Sequence, residues 1–132
     1  MRPKFRAWDK REDMKRFLPD SFLEQLYLRQ DGKIIWWSAL KGFTEVSDIF
    51  EINLFTGLLD KNGKEIFEGD IIELKHPYKG RYHKGVVEMI DWRWTMRNFF
   101  QGQLDIPNEP FSVGTEYIEV IGNVYQNKDL LQ

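Results

Sequence analysis

The chain has no cysteine and only two histidines among its 132 residues. Without Cys there is no disulfide, no thiolate zinc site and no cysteine nucleophile, a composition that suits a reducing compartment. Long hydrophobic runs are missing too: the longest, Ile34 to Leu40, is broken by Ser38 and falls far short of the roughly 20 residues of a membrane-spanning helix. The N-terminal MRPKFRAWDKRED has a basic flank but neither an apolar segment nor a small-residue cleavage pattern. No secretory signal is read there, and the cytoplasm is the expected location.

Catalytic signatures are absent as well. There is no Gly-x-Ser-x-Gly elbow, P-loop, His-Glu-x-x-His pair or Gly-rich dinucleotide fingerprint. His76 and His83 stand seven apart with no third ligand spaced for zinc, and they read as solvent-facing loop residues. A carboxylate pair such as Asp70 and Glu73 does acid–base work only where burial shifts a pKa. The expectation is a protein that is not an enzyme and holds no cofactor or metal.

What is present is apolar and aromatic. Hydrophobic residues make up 42% and aromatics 15%, with five Trp and ten Phe, too much apolar surface for a disordered chain. A net charge of -2 hides blocks of sign: residues 1–16 carry seven Lys/Arg against three acids, 45–74 two against eight, 75–97 six against two, and 98–132 one against five. Blocks of opposite sign suit association within the fold or between copies; an ordinary solvated surface of mixed sign is the plainer explanation.

Alternation predicts strands at Lys4 to Trp8, Val46 to Leu54, Ile71 to Leu74, Gly85 to Ile90, Trp92 to Arg97 and Tyr117 to Tyr125, the last with a Gly kink or bulge. Asp9 to Arg16 and Gln101 to Gly114 read as loops, and Asn127 to Gln132 as a tail with a helical turn. Residues 21–29 stay open. Ser21 with Glu24 forms a helix-capping pattern, whereas Leu26 and Leu28 alternate toward a hairpin of about 25–30 with 33–38, reversed at Asp31-Gly32 in a type I′ turn. Ile34-Ile35-Trp36-Trp37 has apolar side chains on both faces, which suggests a strand covered on both sides, as core or interface.

Residues 55–72, FTGLLDKNGKEIFEGDII, are dense in Gly, Asp and Asn. Asn62-Gly63 is a strong hairpin signal, and Glu68-Gly69-Asp70 is a second tight bend. Two bends in one short segment resemble the corners of a small barrel. A calcium loop starting at Asp60 fails, because its sixth position is Glu65 rather than Gly and its twelfth is Ile71 rather than Glu. Asp31, Gly32, Asn62, Gly63, Gly69 and Asp70 therefore read as structural turns.

One segment has the composition of a binding surface. From 76 to 97, Tyr78, Lys79, Arg81, Tyr82, Lys84, Trp92, Arg93 and Trp94 interleave rings and cations, which suits bases stacked on rings with phosphates met by cations. An acidic pI near 5.7 speaks against nucleic acid. The alternative is that Trp92 and Trp94 pack on one strand face while the cations keep a loop soluble. Adjacent Trp residues and opposed charge blocks point instead to a homo-oligomer or a protein-binding module.

Three stretches together resemble a known family. Phe5-Arg6-Ala7-Trp8-Asp9, then the run Thr56 to Ile72, and then Glu119-Val120-Ile121-Gly122-Asn123-Val124-Tyr125 with Leu130-Leu131 are similar to the YopX-like proteins of phages and prophages. The resemblance spans nearly the whole chain; residues 10–50 and 93–115 carry no distinctive motif. It implies a mostly β protein with an N-terminal β region, residues 1–54, packed with an SH3-like small barrel, residues 55–132, as one unit without a clear linker and with short helical turns only. It also implies a bacterial host cytoplasm, and it supplies no activity or catalytic residue. The function expected is a phage or prophage accessory protein that self-associates and binds a host or phage protein; the alternative is a nucleic-acid-binding barrel using 76–97.

Overall fold

Alternating apolar residues punctuated by Gly and Asx turns fold into antiparallel strands. The computed structural model of the chain describes residues 4–75, 82–90, 93–98 and 115–131. These are mostly strand, with one four-residue helix and short 3-10 turns, and one sheet curls into a half-barrel. The chain divides into two units, Met1–Leu54 and Phe55–Gln132.

In the first unit β1 (Phe5–Asp9) lies between β2 (Arg16–Phe17) and the beginning of β6 (Phe50–Leu59). A second sheet of three strands has β4 (Ile34–Ser38) at its centre, flanked by β3 (Leu26–Leu28) and β5 (Gly42–Glu45). Ala7, Leu18, Leu26, Ile34, Val46 and Phe50 form the core. Phe22 stacks on Trp36 at 5.7 Å and meets Phe50 edge-on at 6.0 Å, so the short helix α1 (Asp20–Leu23) is held by ring packing. Residues 21–29 thus supply both alternatives in turn, α1 and then β3. Ser21 does not cap: α1 begins one residue earlier, after an extended Pro19 whose carbonyl accepts the N–H groups of Phe22 and Leu23.

The second unit pairs the rest of β6 with β7 (Glu65–Phe67). Its main sheet runs β10 (Arg93–Asn98), β9 (Tyr82–Ile90), β8 (Asp70–Lys75), β11 (Ile118–Asn123), every neighbour antiparallel. Ile66, Ile72, Leu74, Val87, Met96, Ile118 and Val120 make its core, with Leu58, Trp94 and Tyr117 packed against it. Full burial of each large side chain contributes about 1.5–3 kcal/mol. The expected irregularity in the last strand is a bulge between Val120 and Gly122. A Cβ at Gly122 would sit 2.6 Å from the Asn127 side chain.

Several boundaries differ from expectation for local reasons. The strand expected from Val46 starts at Phe50, because Ile49 and Phe50 donate back to the Val46 carbonyl and close a turn. It then continues to Leu59 through Gly57 at φ +87°. The loop expected over 76–84 ends by Tyr82, which is already the first residue of β9. Strands β2 and β5 were not anticipated; both are short and polar or Gly-bearing. Phe99, Phe100 and the connection expected from 101 to 114 lie outside the described residues. No helix among the described residues is long and apolar enough to cross a membrane.

Gly85 on β9 fixes how closely two strands can approach. A Cβ there would lie 2.0 Å from the Arg97 carbonyl oxygen on β10, and backbone cannot yield as a side-chain tip can. Gly85→Ala is expected to cost about 1–3 kcal/mol, read as a lower midpoint in urea unfolding; an unchanged midpoint would contradict this packing.

Candidate functional site

The Gly- and Asp-rich stretch resolves into turn geometry. At the end of β6 the Asp60 N–H donates to the Lys64 carbonyl at 2.7 Å, and the Gly63 N–H to the Asp60 carbonyl at 3.0 Å. Gly63 has φ +79°, whereas Asn62 is not at positive φ. This is a three-residue loop, a type I turn followed by a left-handed Gly. The β3–β4 loop repeats it: Arg29 bonds the Lys33 carbonyl at 2.9 Å, Gly32 bonds the Arg29 carbonyl at 3.0 Å, and only Gly32 (φ +84°) is left-handed. The type I′ turn expected at Asp31-Gly32 is therefore corrected; one left-handed residue closes each loop, and it is the Gly.

The buried Asp60 carboxylate holds the first of these loops. Oδ1 accepts the N–H groups of Asn62 (2.8 Å) and Lys64 (2.9 Å), and Oδ2 accepts that of Val120 on β11 (2.9 Å). Burial alone would raise the Asp60 pKa, but the three backbone donors, Val120 foremost, outweigh it and hold the carboxyl below its usual value. Asp70, also buried, accepts the Phe67 N–H at 2.8 Å across the bend at Gly69 (φ +84°). In the first unit the Arg11 guanidinium and N–H close on buried Asp9 at 2.8–3.1 Å and hold that carboxyl low. These acids spend their oxygens on the protein's own backbone and side chains, leaving corners rather than ligand loops.

The basic-aromatic segment is sorted by the sheet. Tyr78, Lys79, Arg81 and Trp92 lie outside the described residues, as does His76, and Tyr82 is placed only as the β9 residue opposite Lys75. Trp94 faces the second core with Met96. Arg93 and Lys84 stand on the opposite face, where Arg97 pairs with Glu88 at 3.1 Å and Lys84 lies across from Glu73. Interleaving along the chain thus becomes segregation across the sheet, because side chains alternate faces. His83 is corrected from a loop to a half-buried position on β9 opposite Leu74.

A different surface gathers exposed rings. Strand pairing puts Tyr27 opposite Ile35, and Trp37 opposite Phe43, so one face of the β3–β4–β5 sheet carries all four. Tyr27 and Phe43 come from opposite sides of β4, yet their rings meet at 6.3 Å. They close over Ile35, which is buried although its face is open. Phe43 is 72% exposed, Tyr27 44% and Trp37 42%. One face of β4 is core, with Ile34 buried and Trp36 packed against it; on the other Ile35 is buried and Trp37 looks outward, so that within the chain this face is not core throughout. Sequence reasoning flagged Trp37 but missed Tyr27 and Phe43. The signal was the register, since once Trp37 and Phe43 are paired the alternation places the rings together.

Gly63→Val is expected to lower the melting temperature, since a β-branched residue at a left-handed φ costs about 1–2 kcal/mol; an unchanged melt would contradict the turn. Asp60→Asn is expected to cost about 1–3 kcal/mol at neutral pH by spoiling acceptors for buried N–H groups. The folded Asp60 value lies below the unfolded one. Its stabilisation is therefore complete above the unfolded value and is lost as pH falls through the folded value. Melting curves across acid pH should show the variant's acid limb flattened relative to the parent; parallel limbs would contradict the carboxylate's role.

Comparison with known proteins follows the same architecture. The family model described as YopX protein matches residues 4–132. The crystal structure of protein EF1440 from Enterococcus faecalis is similar, with TM-score 0.63 and 28% identity over 100% of this chain and 99% of that one. The crystal structure of protein yopX from Bacillus subtilis has TM-score 0.56 and 22% identity over 97% of this chain and 95% of that one, a likeness of fold. No curated protein matches the chain.

Proposed function

We propose, since the chain belongs to the YopX protein family, that it is a non-enzymatic accessory protein of a phage or prophage. It works in the host cytoplasm by self-association and by holding a host or phage protein. The observation that carries this reading is the open face of Tyr27, Trp37 and Phe43 on the three-stranded sheet. Exposed rings around an apolar centre are what protein interfaces use. The residues that look most like chemistry support the same reading from the other side, because Asp9, Asp60 and Asp70 are engaged in holding turns. A nucleic-acid role would have to do without Trp94, which is turned to the core, and rest on Tyr78, Lys79, Arg81, Tyr82, Lys84, Trp92 and Arg93.

Sedimentation equilibrium over a wide concentration range is expected to show mass rising above that of one chain. A monomer at the highest concentration would remove self-association. Titration with single- and double-stranded DNA and RNA, followed by Trp fluorescence, is expected to give no saturable change; quenching that weakens with salt, as counterion release requires, would replace this reading with the nucleic-acid one.

A further inference from the structure

The chain's single Asn-Gly pair is Asn62-Gly63, at the tip of the loop that joins β6 to β7. Such a pair is reactive in an open chain, because a glycine leaves its backbone nitrogen unhindered beside the preceding side-chain amide. Here both residues are exposed, so water reaches them. A Cβ at Gly63 would meet nothing within 4 Å; glycine is required by its left-handed φ of +79° and not by space. The conformation that closes the corner thus puts a labile pair at its tip. The corresponding position of the β3–β4 loop holds Asp31-Gly32, whose carboxylate has no amine to lose.

We propose that Asn62 is a site of self-catalysed deamidation, and that the closed β6–β7 corner, latched by Asp60, holds the reaction off until the loop opens. In the reaction the Gly63 nitrogen gives up its proton and bonds to Asn62 Cγ, the Cγ–Nδ2 bond breaks, and Nδ2 leaves as ammonia. Water then opens the succinimide at either carbonyl, leaving Asp or an isoaspartyl linkage; one water enters for each ammonia released. The ring is nearly planar, so the Gly63 nitrogen has to swing until it eclipses Asn62 Cβ. In a type I turn ψ at this position is about 0°, which eclipses Asn62's own nitrogen instead. The Gly63 N–H is held by the Asp60 carbonyl at 3.0 Å, and the Asn62 N–H by Asp60 Oδ1 at 2.8 Å. The loop is also fastened to β11. Lys61 donates its N–H to the Ile118 carbonyl at 2.9 Å, Val120 donates to Asp60 Oδ2 at 2.9 Å, and the Glu119 carboxylate meets Lys61 Nζ at 3.1 Å and Asn62 Nδ2 at 3.4 Å. Either product puts a carboxylate where Glu119 now meets an amide donor, and the isoaspartyl form lengthens the main chain inside a three-residue loop. The change runs one way, since a corner modified while open no longer has the spacing that closed it.

The full chain is incubated at mildly alkaline pH, folded in buffer and unfolded in guanidinium chloride, and peptide mapping by mass spectrometry follows Asn62 into Asp and isoaspartate. The folded chain is expected to react at least about tenfold more slowly than the unfolded one; equal rates would overturn the proposal. Asp60→Ala, shown by circular dichroism to fold, is expected to react about tenfold faster than the folded parent, and a rate equal to the parent's would overturn the part given to Asp60. Where that variant does not fold, the parent decides alone. In guanidinium below the unfolding transition, deamidation of Asn62 is expected to rise in step with hydrogen exchange at the Gly63 N–H. A rate that follows the core amides of β8 and β9 instead would assign control to global unfolding and overturn the corner's role.

Discussion

One buried carboxylate closes the β6–β7 corner and ties it to a strand that is distant in sequence. Asp60 accepts two N–H groups from its own loop and a third from Val120 on β11. Three donors converging on one side chain need an acceptor with no proton of its own, and ionised Asp is the shortest side chain that meets this need. Removal from water is the opposing term, and the three backbone donors together outweigh it. Val120, part of the second core, is thereby joined to the loop as well as to β8.

The same device recurs at the other corners. Asp9, Asp31 and Asn123 each accept the N–H two residues on, from Arg11, Lys33 and Tyr125. Such bonds let a short polar side chain stand in for backbone where the chain leaves regular structure. A protein without disulfides can define its corners in this way. The consequence for function is that the polar residues most conspicuous in the sequence are already occupied, and their clustering reflects how many corners a small β protein must turn.

The sequence was most legible where period and punctuation agreed. Alternation over residues 71–74, 85–90 and 117–125 and the reversal near residue 31 lead to a mostly β fold without distant information. Turn type was less legible, because Asx-Gly is compatible with a two-residue loop and with a three-residue loop, and strand twist and closing bonds decide between them. Tertiary packing overrode local signals elsewhere. Ser21 carries the capping pattern, but Phe22 is drawn onto Trp36 and Phe50, and the helix starts at Asp20. Strand β2 is two residues long and exists through its pairing with β1, so no period within it could announce it. The ring surface was hidden for a related reason: Tyr27, Trp37 and Phe43 sit on three different strands and become neighbours only through register.

The corner-holding polar residues and the exposed rings occupy different stretches of the chain. The motifs that resemble the family lie at Phe5 to Asp9, Thr56 to Ile72 and Glu119 to Tyr125, and their polar members Asp9, Asp60, Asp70 and Asn123 hold corners. The exposed rings fall between residues 27 and 43, in the stretch without a distinctive motif. Their spacing also sets their role. Tyr27 and Phe43 lean together across β4 and shelter Ile35, so part of their apolar surface is already satisfied within the sheet. Trp37 and the outer face of Phe43 are what remain exposed. A surface of this kind can stay in water as a monomer at low concentration and still gain from being covered. For the self-association proposed above, that balance would fit a reversible assembly better than an obligate one, whose buried face would resemble a core cut in half.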